Sequence, residues 1–231
     1  MPYRYYVLFH VIAGTVALLG FWTAAILRKG SPRHRLVGRA YLLAMVVVVL
    51  SGIPLTVQRF AEGHTVTGSF LGYLLLITAT GVWTAWRAIR DKHDPVAFTG
   101  PVYRGFAIAN LAAGLGVLAL GWQAGSPLLM GFSAIGLFAG QDMLRKRARI
   151  AGKPLWWRTE HYSAMLGNGV ATHIAFLGLG LPRLLPMVDG SALHYVAWFG
   201  PLLVAVVAKP LLDRRFAAQP RPVPGGALAA G

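Results

Sequence analysis

The chain has no cysteine. Disulfides, thiolate metal ligands, iron–sulfur clusters and a cysteine nucleophile are therefore excluded. Acidic residues are nearly as scarce, with seven Asp and Glu against 22 Lys and Arg in 231 residues. The carboxylates avoid the middle of every apolar run, so a proton pump or an ion-coupled transporter would lack its charge relay. A retinal protein fits no better, because Lys209 stands near the end of the last run and no counter-ion sits at mid-depth. Also absent are a phosphate-binding P-loop, a dinucleotide glycine pattern, a zinc-protease motif and a serine-nucleophile elbow.

Charge in general is sparse: 13% of residues are charged and 56% hydrophobic, where a soluble domain carries about 25% charged residues. With a mean hydropathy of +0.57, the composition is that of a chain dissolved in lipid. The net charge of +15 would suit nucleic acid only if the cations shared one water-facing surface. They are instead dealt out between apolar runs, which excludes nucleic acid as a partner.

A hydrocarbon core about 30 Å thick needs about 20 helical residues. On that ruler the chain contains seven spans, at roughly 5–27, 37–57, 69–89, 103–122, 127–143, 160–181 and 192–212. Each must be a helix, because lipid offers no partner to a free backbone amide or carbonyl. The expected fold is an all-α, polytopic transmembrane bundle, one domain over residues 1–216, followed by a Pro-, Gly- and Ala-rich cytoplasmic tail, 217–231, with too little to bury for order. No short apolar region with a small-residue cleavage site opens the chain, so the first run reads as an uncleaved span.

Orientation follows from the cations, which accumulate in short cytoplasmic loops. Nineteen of the 22 fall in the first, third and fifth connections and around the end of the last span, against Arg4, Arg59 and Arg183 on the other side. The N-terminus is expected outside and the C-terminus in the cytoplasm. One span more or fewer would strand a basic cluster outside. The basic side would attract anionic lipid headgroups, which accounts for a pI near 11.1.

Gly20-Phe21-Trp22-Thr23-Ala24 in the first span recurs as Gly81-Val82-Trp83-Thr84-Ala85 in the third. Both copies run out-to-in toward a basic loop with a histidine, His34 or His93, which suggests duplicated hairpins in parallel orientation. The fifth and sixth spans, with His161, would be a diverged third copy. Aromatic residues near membrane interfaces are common without duplication.

Histidines are the main candidates for chemistry. His10 and His173 lie at similar computed depths in spans one and six, with Gly14 and Gly169 one turn away. Neutral imidazoles from two helices could ligate a haem b iron, the glycines giving the macrocycle room, and His194 is an alternative partner. The plainer reading is a hydrogen bond across a helix interface, worth about a kcal/mol or less. In the sixth span His161, Met165, Asn168 and Thr172 share one stripe and should face the interior or a ligand cavity, as should Asn110 and Gln141. Asp142, Glu160 and Asp213 lie near the cytoplasmic ends, where they read as interface anchors. Gly136-x-x-x-Gly140 fits close helix packing inside one protomer.

Two segments resemble a known family. His10-x-x-x-Gly14 with Pro32-Arg33-His34-Arg35-Leu36-Val37-Gly38-Arg39-Ala40-Tyr41, and Glu160-His161-x-x-x-Met165-x-Gly167 through Ala175-Phe176-Leu177, are similar to an uncharacterised family of bacterial predicted membrane proteins, a domain of unknown function. The resemblance implies a multi-pass bacterial inner-membrane protein with recurring counterparts of His10, His34, Arg39 and His161, and no activity. His173 departs from the small residue expected there, which weakens the haem pairing. Two functions follow as expectations. One is a membrane protein holding a cofactor or small apolar ligand at His10, His173, His194, His161 or Asn168, with haem b and a redox role the most concrete form. The other is a permease or assembly factor without catalysis.

Overall fold

The computed structural model describes residues 3–185, 187 and 190–216, with the backbone only of Ser191. The tail over 217–231, expected to be disordered, lies outside the described residues.

Helix starts follow a simple grammar. Ser31-Pro32, Asp94-Pro95, Gly100-Pro101 and Ser126-Pro127 each place a cap before a proline in the first turn, where proline loses no hydrogen bond and its φ is already helical. The Ser31 and Ser126 hydroxyls accept from the amides of His34 and Leu129, and the Asp94 carboxylate accepts from Val96 and Ala97. The resulting helices are α1 (Tyr3–Ile26), α2 (Pro32–Ala61), α3 (Thr65–Arg90), the single turn α4 (Pro95–Phe98), α5 (Pro101–Gln123), α6 (Pro127–Ile150), α7 (Trp156–Ile174), α8 (Leu181–Leu184) and α9 (Ser191–Phe216). A π-helical segment, Ala175–Gly180, joins α7 to α8. No strand occurs among the described residues.

Seven helical stretches are long and apolar enough to cross a membrane, α4–α5 forming one and α7–π–α8 another. The chain is a multi-pass helical membrane protein. Several helices outrun the expected spans, α2 by several residues at each end and α6 by seven at its end, because backbone hydrogen bonding continues through polar turns beyond the apolar window. The outward surface is apolar: Leu19, Ile108, Phe138 and Val206 are exposed, as lipid contact permits.

Hairpins α1/α2 and α5/α6 flank a central pair, α3 and α7, and α9 rests on α7 and the π segment. Thus α3 pairs with a helix distant in sequence as well as with its neighbours α2 and α5. Three buried clusters result. Ala17, Tyr41, Met45, Val82 and Ala85 join α1, α2 and α3. Phe70, Tyr73, Phe132, Ile174 and Trp198 join α3, α6, α7 and α9. Phe98, Tyr103, Met143 and Trp156 close the basic end. Helix α9 is peripheral, with 6% of its apolar window buried.

Gly136 and Gly140 pack within the chain. A Cβ on Gly136 would lie 2.7 Å from the Tyr73 hydroxyl and 2.8 Å from the Asn110 carbonyl, and one on Gly140 would lie 2.5 Å from the Ala107 carbonyl. The motif lets α5 and α6 approach backbone to backbone, as small residues do between membrane helices.

Candidate functional site

The stripe on α7 faces inward as its spacing demands. Asn168 and Thr172 are buried, and Met165 packs against the cluster of α1, α2 and α3. The Asn168 amide lies between the Thr78 carbonyl and the Val82 amide, and the orientation that satisfies both has its NH2 donating to the first and its oxygen accepting from the second, each at 3.2 Å. Thr78 and Val82 are four residues apart on α3, so one amide group spans the two ends of a single helical hydrogen-bonding step. Gly81 makes this approach possible, since a Cβ there would stand 2.5 Å from the Asn168 amide. Asn110 is likewise fully buried, donating to Thr80 Oγ1 and to the Phe106 carbonyl, both at 2.8 Å. Gln141, expected inside, is exposed on α6. Gly140 and Met143 hold the packed face there, and a residue between them on a helix points elsewhere.

The two G-x-W-T-A segments do the same structural work. His34 Nδ1 donates to the Ala24 carbonyl at 3.1 Å, and His161 Nδ1 donates to the Ala85 carbonyl at 3.0 Å. Seven residues after each histidine, a polar side chain packs on the matching glycine: Tyr41 on Gly20 and Asn168 on Gly81. It is His161 of α7, and not His93 in the loop after α3, that stands to α3 as His34 stands to α1. His93 is exposed.

Histidines proposed as haem ligands do not converge. Ser51 Oγ donates to the Val47 carbonyl at 2.6 Å, so His10 Nδ1 must donate to Ser51 Oγ, at 3.0 Å. His173 instead accepts at Nε2 from Trp22 Nε1, 3.0 Å away, and donates from Nδ1 to the Gly169 carbonyl at 2.7 Å. Trp22 lies twelve residues beyond His10 on α1, about 18 Å of helix. The sixth span continues three residues past Leu181, to Leu184, which sets His173 about 4.5 Å deeper and accounts for part of the mismatch in depth. Gly169 serves not a macrocycle but the Phe21 ring, which fills the space a Cβ would take. His194 is exposed near the start of α9, its ring against Tyr195 and Trp198. These residues do not fit a haem held between His10 and His173. Among the described residues, no group of three or more His, Asp or Glu side chains is placed to hold a metal ion.

What the structure adds is Tyr41. Its side chain is fully buried, and its hydroxyl faces Thr172 without reaching hydrogen-bonding geometry, leaving it without a partner. The Thr172 hydroxyl directs its one proton to the Asn168 carbonyl at 2.9 Å, with Met45 Sδ 3.4 Å away, so toward Tyr41 it can act only as an acceptor. A buried unpaired hydroxyl costs about 1–3 kcal/mol, and natural structures rarely tolerate one. The sequence signal for Tyr41 is its spacing from His34, which matches that of Asn168 from His161 and is recognisable once both histidines are seen on carbonyls.

The fold and this polar seam define the class: a seven-span helical membrane protein with a buried polar layer between α1, α2, α3 and α7. No protein family, no curated protein and no solved structure matches the chain.

Proposed function

We propose that the protein binds a small, mostly apolar molecule bearing one polar group, within the bundle where α2, α3 and α7 meet. The observation that carries this reading is the partnerless Tyr41 hydroxyl, which a ligand oxygen or nitrogen would satisfy. Met45 and Met165 wall the position, and unbranched, polarisable methionines re-pack around an occupant at little cost. Thr172 and Asn168 of α7 border it on the polar side.

The wider setting belongs to the same proposal. The chain is a bacterial inner-membrane protein of the predicted-membrane-protein type that its two motifs resemble, with the N-terminus outside, the C-terminus in the cytoplasm and the basic end against anionic headgroups. The two His-on-Ala pairings favour an internal duplication in which α7 is the counterpart of α2.

The test is mass spectrometry of the solvent extract from protein purified in mild detergent, for wild type and Tyr41→Phe. The expected result is a stoichiometric small molecule in the wild type, depleted in a Tyr41→Phe variant of undiminished thermal stability. An empty wild type, with a Tyr41→Phe variant that is simply more stable, would show a bare buried hydroxyl and overturn the proposal.

A further inference from the structure

At the basic end, four cationic or imidazole groups gather without an anion. Lys29 Nζ donates to the Ala24 carbonyl at 2.9 Å and to the Ala25 carbonyl at 2.7 Å, and His34 Nδ1 donates to the same Ala24 oxygen. One carbonyl at the end of α1 therefore holds an ammonium and an imidazole side by side. Partial desolvation, and after it the charge of Arg215 from the end of α9, holds the Lys29 ammonium below the usual lysine range. His161 of α7 lies within the field of both Lys29 and His34.

No carboxylate among the described residues comes within ion-pair distance of any of the four. The acids nearby in the fold are spent elsewhere: Asp213 on Lys209 and Tyr162, and Glu160 on Lys146. Converging cations that lack a counter-charge repel one another and favour an anion from outside the chain.

Hydrogen-bonding capacity is left over as well. A lysine ammonium has three donors, and the two carbonyls take two of them. With Nδ1–H committed to backbone, His34 and His161 each keep an Nε2 lone pair that meets no partner among the described residues. The complementary ligand carries a phosphate oxyanion for Lys29 and Arg215 and hydroxyl groups for the imidazoles.

The surroundings select a lipid over a soluble phosphate. Ile26, three residues before Lys29 on the last turn of α1, is 82% exposed, and Leu19, two turns earlier on the same face, is 65% exposed. A charged head beside bare aliphatic side chains at the end of a membrane helix matches an amphiphile, its phosphate on the cations and its acyl chains along Ile26 and Leu19 of α1.

We infer that Lys29 and Arg215, with His34 and His161 beside them, form a binding site for the headgroup of an anionic phospholipid between the ends of α1, α2, α7 and α9. The site rests on reading the basic end as a membrane interface and is independent of the ligand proposed at Tyr41.

The experiment follows thermal unfolding of the purified full chain in a neutral detergent during titration with phosphatidylglycerol, phosphatidylcholine or inorganic phosphate. Three forms are compared: wild type, Lys29→Gln with Arg215→Gln, and Arg90→Gln with Lys92→Gln. Glutamine at 29 retains a donor for the α1 carbonyls, so the first double variant keeps its cap and loses charge. The second removes two exposed cations elsewhere at the basic end. The expected result is a saturable rise in Tm with phosphatidylglycerol alone, reduced by at least half in the 29/215 variant and retained in the 90/92 variant.

Equal shifts with phosphatidylcholine, or equal losses in both variants, would reduce the effect to general lipid or charge contact and overturn the site. Inorganic phosphate giving the full shift would make the ligand a soluble anion and overturn the lipid. Should the 29/215 variant fail to fold, Lys29→Arg with Arg215→Lys must keep the shift, and its loss there would count against the site. Because Tyr41 is untouched throughout, failure here leaves the buried-ligand reading standing.

Discussion

The hydroxyl of Tyr73 bridges one step of helix α6: it donates to the Phe132 carbonyl at 2.8 Å and accepts from the Gly136 amide at 2.8 Å. Phe132 and Gly136 are the two ends of one i to i−4 pair, just as Thr78 and Val82 are the pair spanned by Asn168 on α3. In both places a glycine at the contact lets a polar side chain from the neighbouring helix reach the backbone. Such insertions tie membrane helices together where apolar packing gains nothing over lipid.

The two members of the Tyr73–Gly136 pair should respond unequally to substitution. Tyr73→Phe removes the bridge but leaves the Phe132 carbonyl and Gly136 amide free to bond each other, so the cost should be about 1 kcal/mol, one net hydrogen bond. Gly136→Ala forces a methyl against the Tyr73 hydroxyl and the Asn110 carbonyl and should cost more, about 1–3 kcal/mol as overpacking does. Thermal unfolding in detergent ranks the two, and Tyr73→Phe proving the worse would contradict the bridging geometry.

Gly81 and Asn168 should be energetically coupled. Gly81→Ala in the wild type drives a methyl into the Asn168 amide, whereas in an Asn168→Ala background that clash is gone. A double-mutant cycle should return an interaction of about 0.5–3 kcal/mol, the range for residues in contact. Additive losses would mean that α3 and α7 do not meet at these residues.

Haem is not expected. Oxidised and dithionite-reduced spectra of protein expressed with added haem should show no Soret or α-band dependent on His10 or His173, because His10 bonds Ser51 of α2 whereas His173 bonds Trp22, about 18 Å further along α1 than His10. A reduced α-band that His10→Ala abolishes would restore a cytochrome.

Topology can be read directly, since the chain has no native cysteine. Ala124 and Ala151 are exposed at the ends of α5 and α6. In intact cells a membrane-impermeant maleimide should label Ala124→Cys and spare Ala151→Cys until the membrane is opened. The reverse pattern would invert the proposed orientation.

Much of the architecture was legible beforehand because lipid imposes a length and an apolar composition on every span, and all seven fell where those two rules put them. The inward faces of Asn110, Asn168 and Thr172 were legible for the same reason, since unpaired polar groups cannot face hydrocarbon. Side-chain partners across helices were not. Depth was reckoned from span ends, and the sixth span ends at Leu184 rather than Leu181, while the tilt and packing of α7 against α1 carry no sequence signal, so His173 was misplaced. Nor does composition reveal which helices touch, so the pairing of α3 with α7, and with it the place of His161 on Ala85, had to come from the fold.

That pairing orders events on the ribosome. Asn168 follows Gly81 by 87 residues, so at synthesis rates of about 5–20 residues per second α3 waits roughly 4–17 s for its partner. The first hairpin can close as soon as α2 is made, while α3 enters the bilayer with its glycine notch vacant and is held meanwhile by α2. A nascent chain stalled between α3 and α7 would display that notch, giving membrane quality control a recognisable mark of an unfinished molecule.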